Sequence, residues 1–180
     1  MGAPKALLRD DAGTAWVVRT AQVVAEAGCA PVVVVVGAAA DDVRVLLDEA
    51  DVHVVRAADW SEGMGASLRA GLRHLITTPG VRAALVCVVD TPDLDVAVVR
   101  RVAALAEPEV LARATYDGQP GHPVLLGARH FTAIAESARG DEGARGYLQR
   151  HGAVEVECAD LAAGADVDRP EDLPPGHRLG

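Results

Sequence analysis

Aromatic side chains are scarce in this sequence: two Trp, two Tyr and one Phe make up 3% of its 180 residues. The length suits one domain spanning 1–180 with a substantial core, which Val, Ala and Leu must then fill. No apolar run nears the ~18 residues of a membrane span, and the opening lacks the charged-then-apolar pattern of a secretory signal. No membrane partner is expected, and the expected location is cytoplasmic. Cys29, Cys87 and Cys158 show no C-x-x-C spacing, so neither a disulfide framework nor a zinc site is indicated; buried free thiols are expected. Positive charge is also short. A net charge of −9 argues against a nucleic-acid partner, which calls for a basic field. Any phosphate must be met locally, by a few placed cations, backbone amides or a metal.

The scarcest basic residue is lysine. Lys5 is the only one, and the rest of the 17 Lys and Arg are arginine. It follows Gly2, Ala3 and Pro4 in a stretch that reads as a loop.

What is abundant is alternation. "APVVVVV" at 30–36 is a β-branched run ending at Gly37, as in a strand buried on both faces. A helical pattern over 14–27 precedes it, and a short helix with an acidic start, 40–50, follows. "VHVV" at 52–55 reads as a strand, 65–76 as a helix, and "AALVCVVD" at 83–90 as a buried strand finishing on a carboxylate. A helix over 96–105 follows, then two strands joined by the turn "DGQPG". Helices near 130–138 and 142–150, a strand "AVEVE" and a Pro-rich tail complete the chain. Strands alternating with helices imply an α/β fold: a three-layer αβα sandwich, Rossmann-like, with a mainly parallel sheet. In such sheets ligands bind beyond the carboxyl ends of the strands.

That rule selects four segments. In "VCVVDTPDLD", Asp90 at a strand end can offer an oxygen to a hard cation such as Mg²⁺, whereas Asp93 suits a helix cap. In "WSEGMGASLRAGL", Gly63 and Gly65 ahead of a helix would let backbone amides approach a ligand closely; a tight helix start without a ligand is the plainer reading. In "DGQPGHPVLLG", His122 sits between Gly121 and Pro123, whose stiffness would point it toward the crevice mouth; a structural or merely exposed histidine is the plainer reading. In "GADVDRPEDL", Asp166 and Asp168 alternate and so share one side of an extended segment. Either could complete a cation site if the tail folds back over Asp90, and capping before Pro170 is the structural alternative for Asp168.

In this order the segments resemble the molybdenum cofactor cytidylyltransferases and their close relatives among the nucleotidyltransferases. That family opens with a strand and a loop of the form L-A-A-G-x-S-x-R-M-G-x-P-K-x-L-L; "MGAPKALL" stands for its second half here. "GMGASLRAGL", "VVDTPDL", "GQPGHPVLL", "GDEGARGYL" and "DVDRPEDL" continue the match. The resemblance implies a sheet of the nucleotide-diphospho-sugar transferase type. It also implies a reaction: a nucleoside triphosphate, CTP first, gives its nucleoside monophosphate to a molybdopterin-type small molecule and releases pyrophosphate. It assigns Lys5 and Asp90 as catalytic and Gly2, Lys5, Gly63, Gly65 and Ser67 to the nucleotide. His122 goes to the acceptor, and Asp90 and Asp168 to Mg²⁺. A compact ammonium can follow charge on non-bridging oxygens as a guanidinium cannot.

The strand and loop that should precede Met1 are expected to be missing, leaving a gap between the 32–36 and 84–89 strands and a poorly active chain. Three rivals stand beside this reading. One is a guanylyltransferase of related fold using GTP with a molybdopterin or phospholactate acceptor. Another is a non-catalytic accessory serving a molybdoenzyme client. The third is a dinucleotide-binding oxidoreductase, disfavoured because no G-x-G-x-x-G follows a strand.

Overall fold

β-branched residues crowd against the preceding turn of a helix but pack well on a pleated surface, and the valine runs of this chain are accordingly its strands. The computed structural model describes residues 4–179. A 3-10 turn, Lys5–Leu7, leads into β1 (Leu8–Arg9), α1 (Trp16–Glu26), β2 (Val33–Val36), α2 (Ala40–Leu46) and β3 (His53–Arg56). A second 3-10 turn, Trp60–Glu62, precedes α3 (Met64–Ile76), β4 (Ala83–Val86) and α4 (Val96–Ala103). Then come β5 (Leu111–Tyr116), β6 (Gln119–Gly127), α5 (Phe131–Ser137), α6 (Arg145–His151), β7 (Val154–Glu157) and β8 (Arg178–Leu179).

Four strands form one sheet in the order β4-β6-β5-β7. The pairs β4–β6 and β5–β6 are antiparallel, and β5–β7 is parallel. β2 and β3 pair in parallel as a second sheet, and among the described residues no ladder joins it to the first. Successive strand residues point to opposite faces, so neighbours on one strand serve different layers. Leu111 and Leu126 pack with Leu72, Phe131, Ile134 and Leu148 of α3, α5 and α6. Their neighbours Ala112 and Leu125 pack with Val98, Val99 and Val102 of α4 on the other side. Helices therefore cover both faces, which makes the αβα arrangement. A third cluster seats Val36 of β2 with Val43 and Leu47, and takes in Ala6, Leu7 and Val89 at its margin. These last three are the neighbours of Lys5 and Asp90.

Two local expectations are corrected. The strand at 83–90 ends at Val86, because its partner β6 pairs only as far as Val124 and the next residue, Pro123, has no N–H to donate. Asp90 therefore stands in a turn four residues beyond the strand. The hairpin turn is also shorter than "DGQPG". Asp117 and Gly118 alone make it, both at positive φ (50° and 74°), the combination that matches strand twist and that Asp-Gly tolerates. Gln119 to Gly121 thus belong to β6. The cysteines are free thiols as expected, but only Cys158 is buried and Cys29 and Cys87 are half-buried; the burial that Cys87 has pushes its thiol up to about 12.

Candidate active site

Lys5 is presented by the first 3-10 turn, which Pro4 opens in an extended conformation and closes by accepting the N–H of Leu7 at 3.0 Å. The turn is anchored by fully buried Leu8, which packs with Trp16, Val167 and Leu173. This cluster joins the start of the chain to its tail. β1 and β8 also pair, and Trp16 Nε1 donates to His177 Nδ1 at 3.1 Å.

Asp90 stands in a turn braced by Thr91, whose hydroxyl donates to the carbonyl of Val88 at 3.2 Å and which is itself buried. The backbone carbonyl of Asp90 accepts the N–H of Val167 at 2.9 Å. That bond sets the tail beside the carboxylate. Lys5 Nζ then donates to Asp90 Oδ2 at 2.8 Å and to Asp168 Oδ1 at 2.7 Å. Burial works to lower the Lys5 pKa, but the hydrogen bonds to Asp168 and Asp90 outweigh it and hold the ammonium above its ordinary range. The Lys5 ammonium holds the Asp168 carboxyl below its usual range. Asp166 is the fourth charged group here. Burial first, then the charge of Asp90, raises its carboxyl, while His122 and Lys5 act in the opposite sense.

His122, the fourth residue of β6, lies with Nδ1 at 3.3 Å from the carbonyl of Val86, and its own carbonyl accepts from Tyr116 Oη at 2.7 Å. Asp93, read as a helix cap, instead accepts the backbone N–H groups of Ala163 and Gly164 at 2.8 and 2.9 Å. The cap of α4 is Asp95, which accepts from Ala97. Asp93 thus tethers the tail just ahead of Asp166 and Asp168.

The other glycine-containing segment packs at the start of α3. The Gly63 and Gly65 backbones are approached closely, but by the chain itself. A Cβ on Gly63 would strike Asp141 Oδ1, and one on Gly65 would lie 2.9 Å from the Arg139 backbone nitrogen. Asp141 Oδ1 accepts the Met64 N–H at 3.3 Å. Arg69, 7% exposed, draws these loops together by donating to the carboxylates of Asp59 and Glu62 and to the carbonyl of Ala138. Ser67 lies on the same first turns of α3.

The structure thus gathers Lys5, Asp90 and Asp168, with Asp166 and His122 beside them. Gly63, Gly65 and Ser67 lie at the start of α3, with no hydrogen bond or ion pair to that group among the described residues, and Gly2 lies outside the described residues. Residue pattern alone left Asp166 and Asp168 open and the family resemblance chose Asp168, the one that meets Lys5; Arg69 was overlooked, and its place one helical turn after "GMG", among acidic loop residues, was the available signal. Among the described residues no three His, Cys, Asp or Glu side chains form a ready-made metal group. Two concavities, ≈ 920 Å³ between α1 and α4 and ≈ 450 Å³ beside Tyr116 and Asp160, include none of these residues. No helix of the described residues is long and apolar enough to cross a membrane.

Residues 1–156 match the MobA-like NTP transferase domain. The chain belongs to this family. The transferase domain is 34% identical over 179 residues to the nicotine blue oxidoreductase of Paenarthrobacter nicotinovorans, covering 94% of this chain and 86% of that protein. It is similar in structure to Rv0371c of Mycobacterium tuberculosis H37Rv, with TM-score 0.79, 25% identity and coverage of 96% and 87% of the two chains. The same protein has been solved in complex with manganese. A nucleotidyl transferase of Methanothermobacter thermautotrophicus shares the fold, at TM-score 0.77, 23% identity and coverage of 93% and 81%.

Proposed function

We propose that this MobA-like transferase moves a nucleoside monophosphate, CMP from CTP, onto the phosphate of a molybdopterin-type cofactor. The observation that carries this reading is the Lys5 ammonium set between Asp90 and Asp168. An acidic chain has here brought its only lysine to a pair of carboxylates.

In the reaction, an oxygen of the acceptor phosphate attacks the α-phosphorus of the triphosphate. The bond from that phosphorus to the bridging oxygen breaks, and pyrophosphate leaves with the electron pair. Such a displacement asks the protein for alignment and for neutralisation of charge. Lys5 serves the phosphates, Ser67 serves the base and ribose from a helix start that Gly63 and Gly65 let pack against residues 138–141, and His122 faces the acceptor. The two carboxylates fit a divalent cation, since Mg²⁺ takes one or two of them and fills its remaining positions with water and substrate phosphate. Asp90 and Asp168 would hold it, and bound there it neutralises phosphate charge. Manganese in the complex of Rv0371c supports a divalent metal for this chain.

Purified protein incubated with CTP, MgCl₂ and molybdopterin is expected to release pyrophosphate and yield the cytosine dinucleotide. GTP replacing CTP in that assay, or a phospholactate acceptor, would make the chain a guanylyltransferase. Nucleotide binding without pyrophosphate release would instead favour an accessory role toward a molybdoenzyme client. A second reading, oxidoreductase chemistry, is favoured by the name of the 34% identical relative. Turnover of NADH or NADPH with an oxidised heteroaromatic substrate, and no pyrophosphate from any nucleotide, would establish it.

A further inference from the structure

Of the five aromatic residues, four are buried: Trp16, Phe131, Tyr116 and Tyr147 are 1 to 9% exposed, whereas Trp60 is 45% exposed. A chain that spends its few aromatics inside has placed one large ring at the surface. Its position is fixed. A Cβ on Gly37 would lie 2.6 Å from Trp60 Cβ and 2.9 Å from its Cγ, so only glycine at the carboxyl end of β2 lets the indole root sit there. Gly37 follows the carboxyl end of β2 and Trp60 comes after the carboxyl end of its parallel partner β3, and in α/β sheets ligands bind beyond those ends. The ring therefore lies beyond the carboxyl end of a strand, as Asp90 does beyond that of β4.

The charge around the ring is also arranged. Its neighbours Asp59 and Glu62 are carboxylates that would repel a phosphorylated ligand, and both are engaged by Arg69. The half-exposed thioether of Met64 follows four residues on, adding a polarisable surface rather than a charge.

We propose that Trp60 is the stacking platform for the base of the nucleoside triphosphate. This rests on the nucleotidyl-transfer reading and deepens it. A π-face accepts any base, so such a platform supplies affinity with little discrimination. Choice between cytosine and guanine would then fall to hydrogen-bonding groups elsewhere in the crevice.

The test uses the protein's two tryptophans. Trp16 is buried and Trp60 is not, so acrylamide reports on Trp60. CTP or GTP with MgCl₂ is expected to quench Trp60 emission and to shield it from acrylamide. In calorimetry, Trp60→Leu should bind either nucleotide about tenfold more weakly, and Trp60→Phe should regain most of that loss. In the transfer assay the Leu variant should raise KM for the nucleotide and leave kcat near the wild-type value. Inorganic tripolyphosphate should bind wild type and Trp60→Leu alike. Equal nucleotide affinity in the wild type and the Leu variant overturns the platform, as does an equal loss of tripolyphosphate binding. A change in sedimentation of Trp60→Leu with nucleotide affinity intact overturns it in favour of a second copy covering the ring. Wild-type protein that binds no nucleoside triphosphate overturns both this inference and the transfer reading; loss of the platform alone leaves transfer standing.

Discussion

Lys5 Nζ and Asp168 Oδ1 meet at 2.7 Å although 163 positions separate them in sequence. The ammonium also holds Asp90 at 2.8 Å, so the first turn, the loop after β4 and the tail converge on one cation.

Replacing Lys5 should therefore act in two directions. Lys5→Met removes the charge that serves the phosphates, and pyrophosphate release should fall by about a hundredfold or more. Lys5→Arg should keep the link to the two carboxylates but restore little activity, since the larger planar fork cannot follow phosphate oxygens as a compact ammonium does. Without nucleotide the opposite holds for metal. The ammonium competes for both carboxylates, so Lys5→Met should bind Mn²⁺ more tightly than wild type, read by the free Mn²⁺ signal in electron paramagnetic resonance.

The tail is held to the first turn by the bond from Trp16 to His177. His177→Ala leaves a buried indole N–H to find water, and should cost about 1 kcal/mol in urea unfolding. Because the tail carries Asp168, this variant should also need more Mg²⁺ for half-maximal rate. An unchanged Mg²⁺ requirement would show that the latch does not set the tail's position at Asp90.

Arg69→Met should cost roughly 1–3 kcal/mol, since it unties the Trp60–Glu62 turn from the 138–141 loop. Asp59 and Glu62 are 41% and 57% exposed and can rehydrate once freed, which keeps the loss below that of stranding a fully buried charge. Gly63→Ala should be costly for a different reason: φ is +105° there and the added carbon would also strike the backbone of Gly140. Urea midpoints for the two variants, and protease cleavage within 138–143, would measure both effects.

The strands and helices were legible because period and β-branching are local properties. "VVVV" at 33–36 could hardly be anything but a strand, and the amphipathic runs before and after it fell into place. Partners were less legible. That β4 stops at Val86 depends on where β6 loses its N–H at Pro123, and that Gly63 and Gly65 face residues 138–141 depends on a chain segment some seventy positions away. The exchange of roles between Asp93 and Asp95 has the same origin: either could cap α4, and the tail amides of Ala163 and Gly164 claim Asp93. The meeting of Lys5 with Asp90 and Asp168 came through family resemblance, since no spacing rule brings positions 5, 90 and 168 together.

Glu157 gives a pH test of the hairpin that carries His122. Its carboxylate accepts the N–H groups of Ala159 at 2.9 Å, Asp117 at 3.1 Å and Gly118 at 3.2 Å, along with the Thr115 hydroxyl at 3.0 Å. These donors, the Ala159 and Gly118 amides foremost, hold its pKa below the usual glutamate range. A carboxyl depressed in the folded state binds fewer protons than in the unfolded chain. Its stabilisation is therefore present above the ordinary glutamate pKa of ~4.3 and disappears as pH falls through the lowered folded value. Glu157→Gln turns one acceptor oxygen into a donor facing N–H groups, so the melting temperature should drop at pH 7. The gap to wild type should narrow steadily below pH 4.5, as the wild-type side chain takes up its proton. A gap that stayed constant from pH 7 to pH 3 would mean that the Asp117–Gly118 turn is held by its backbone conformation and not by the charge on Glu157.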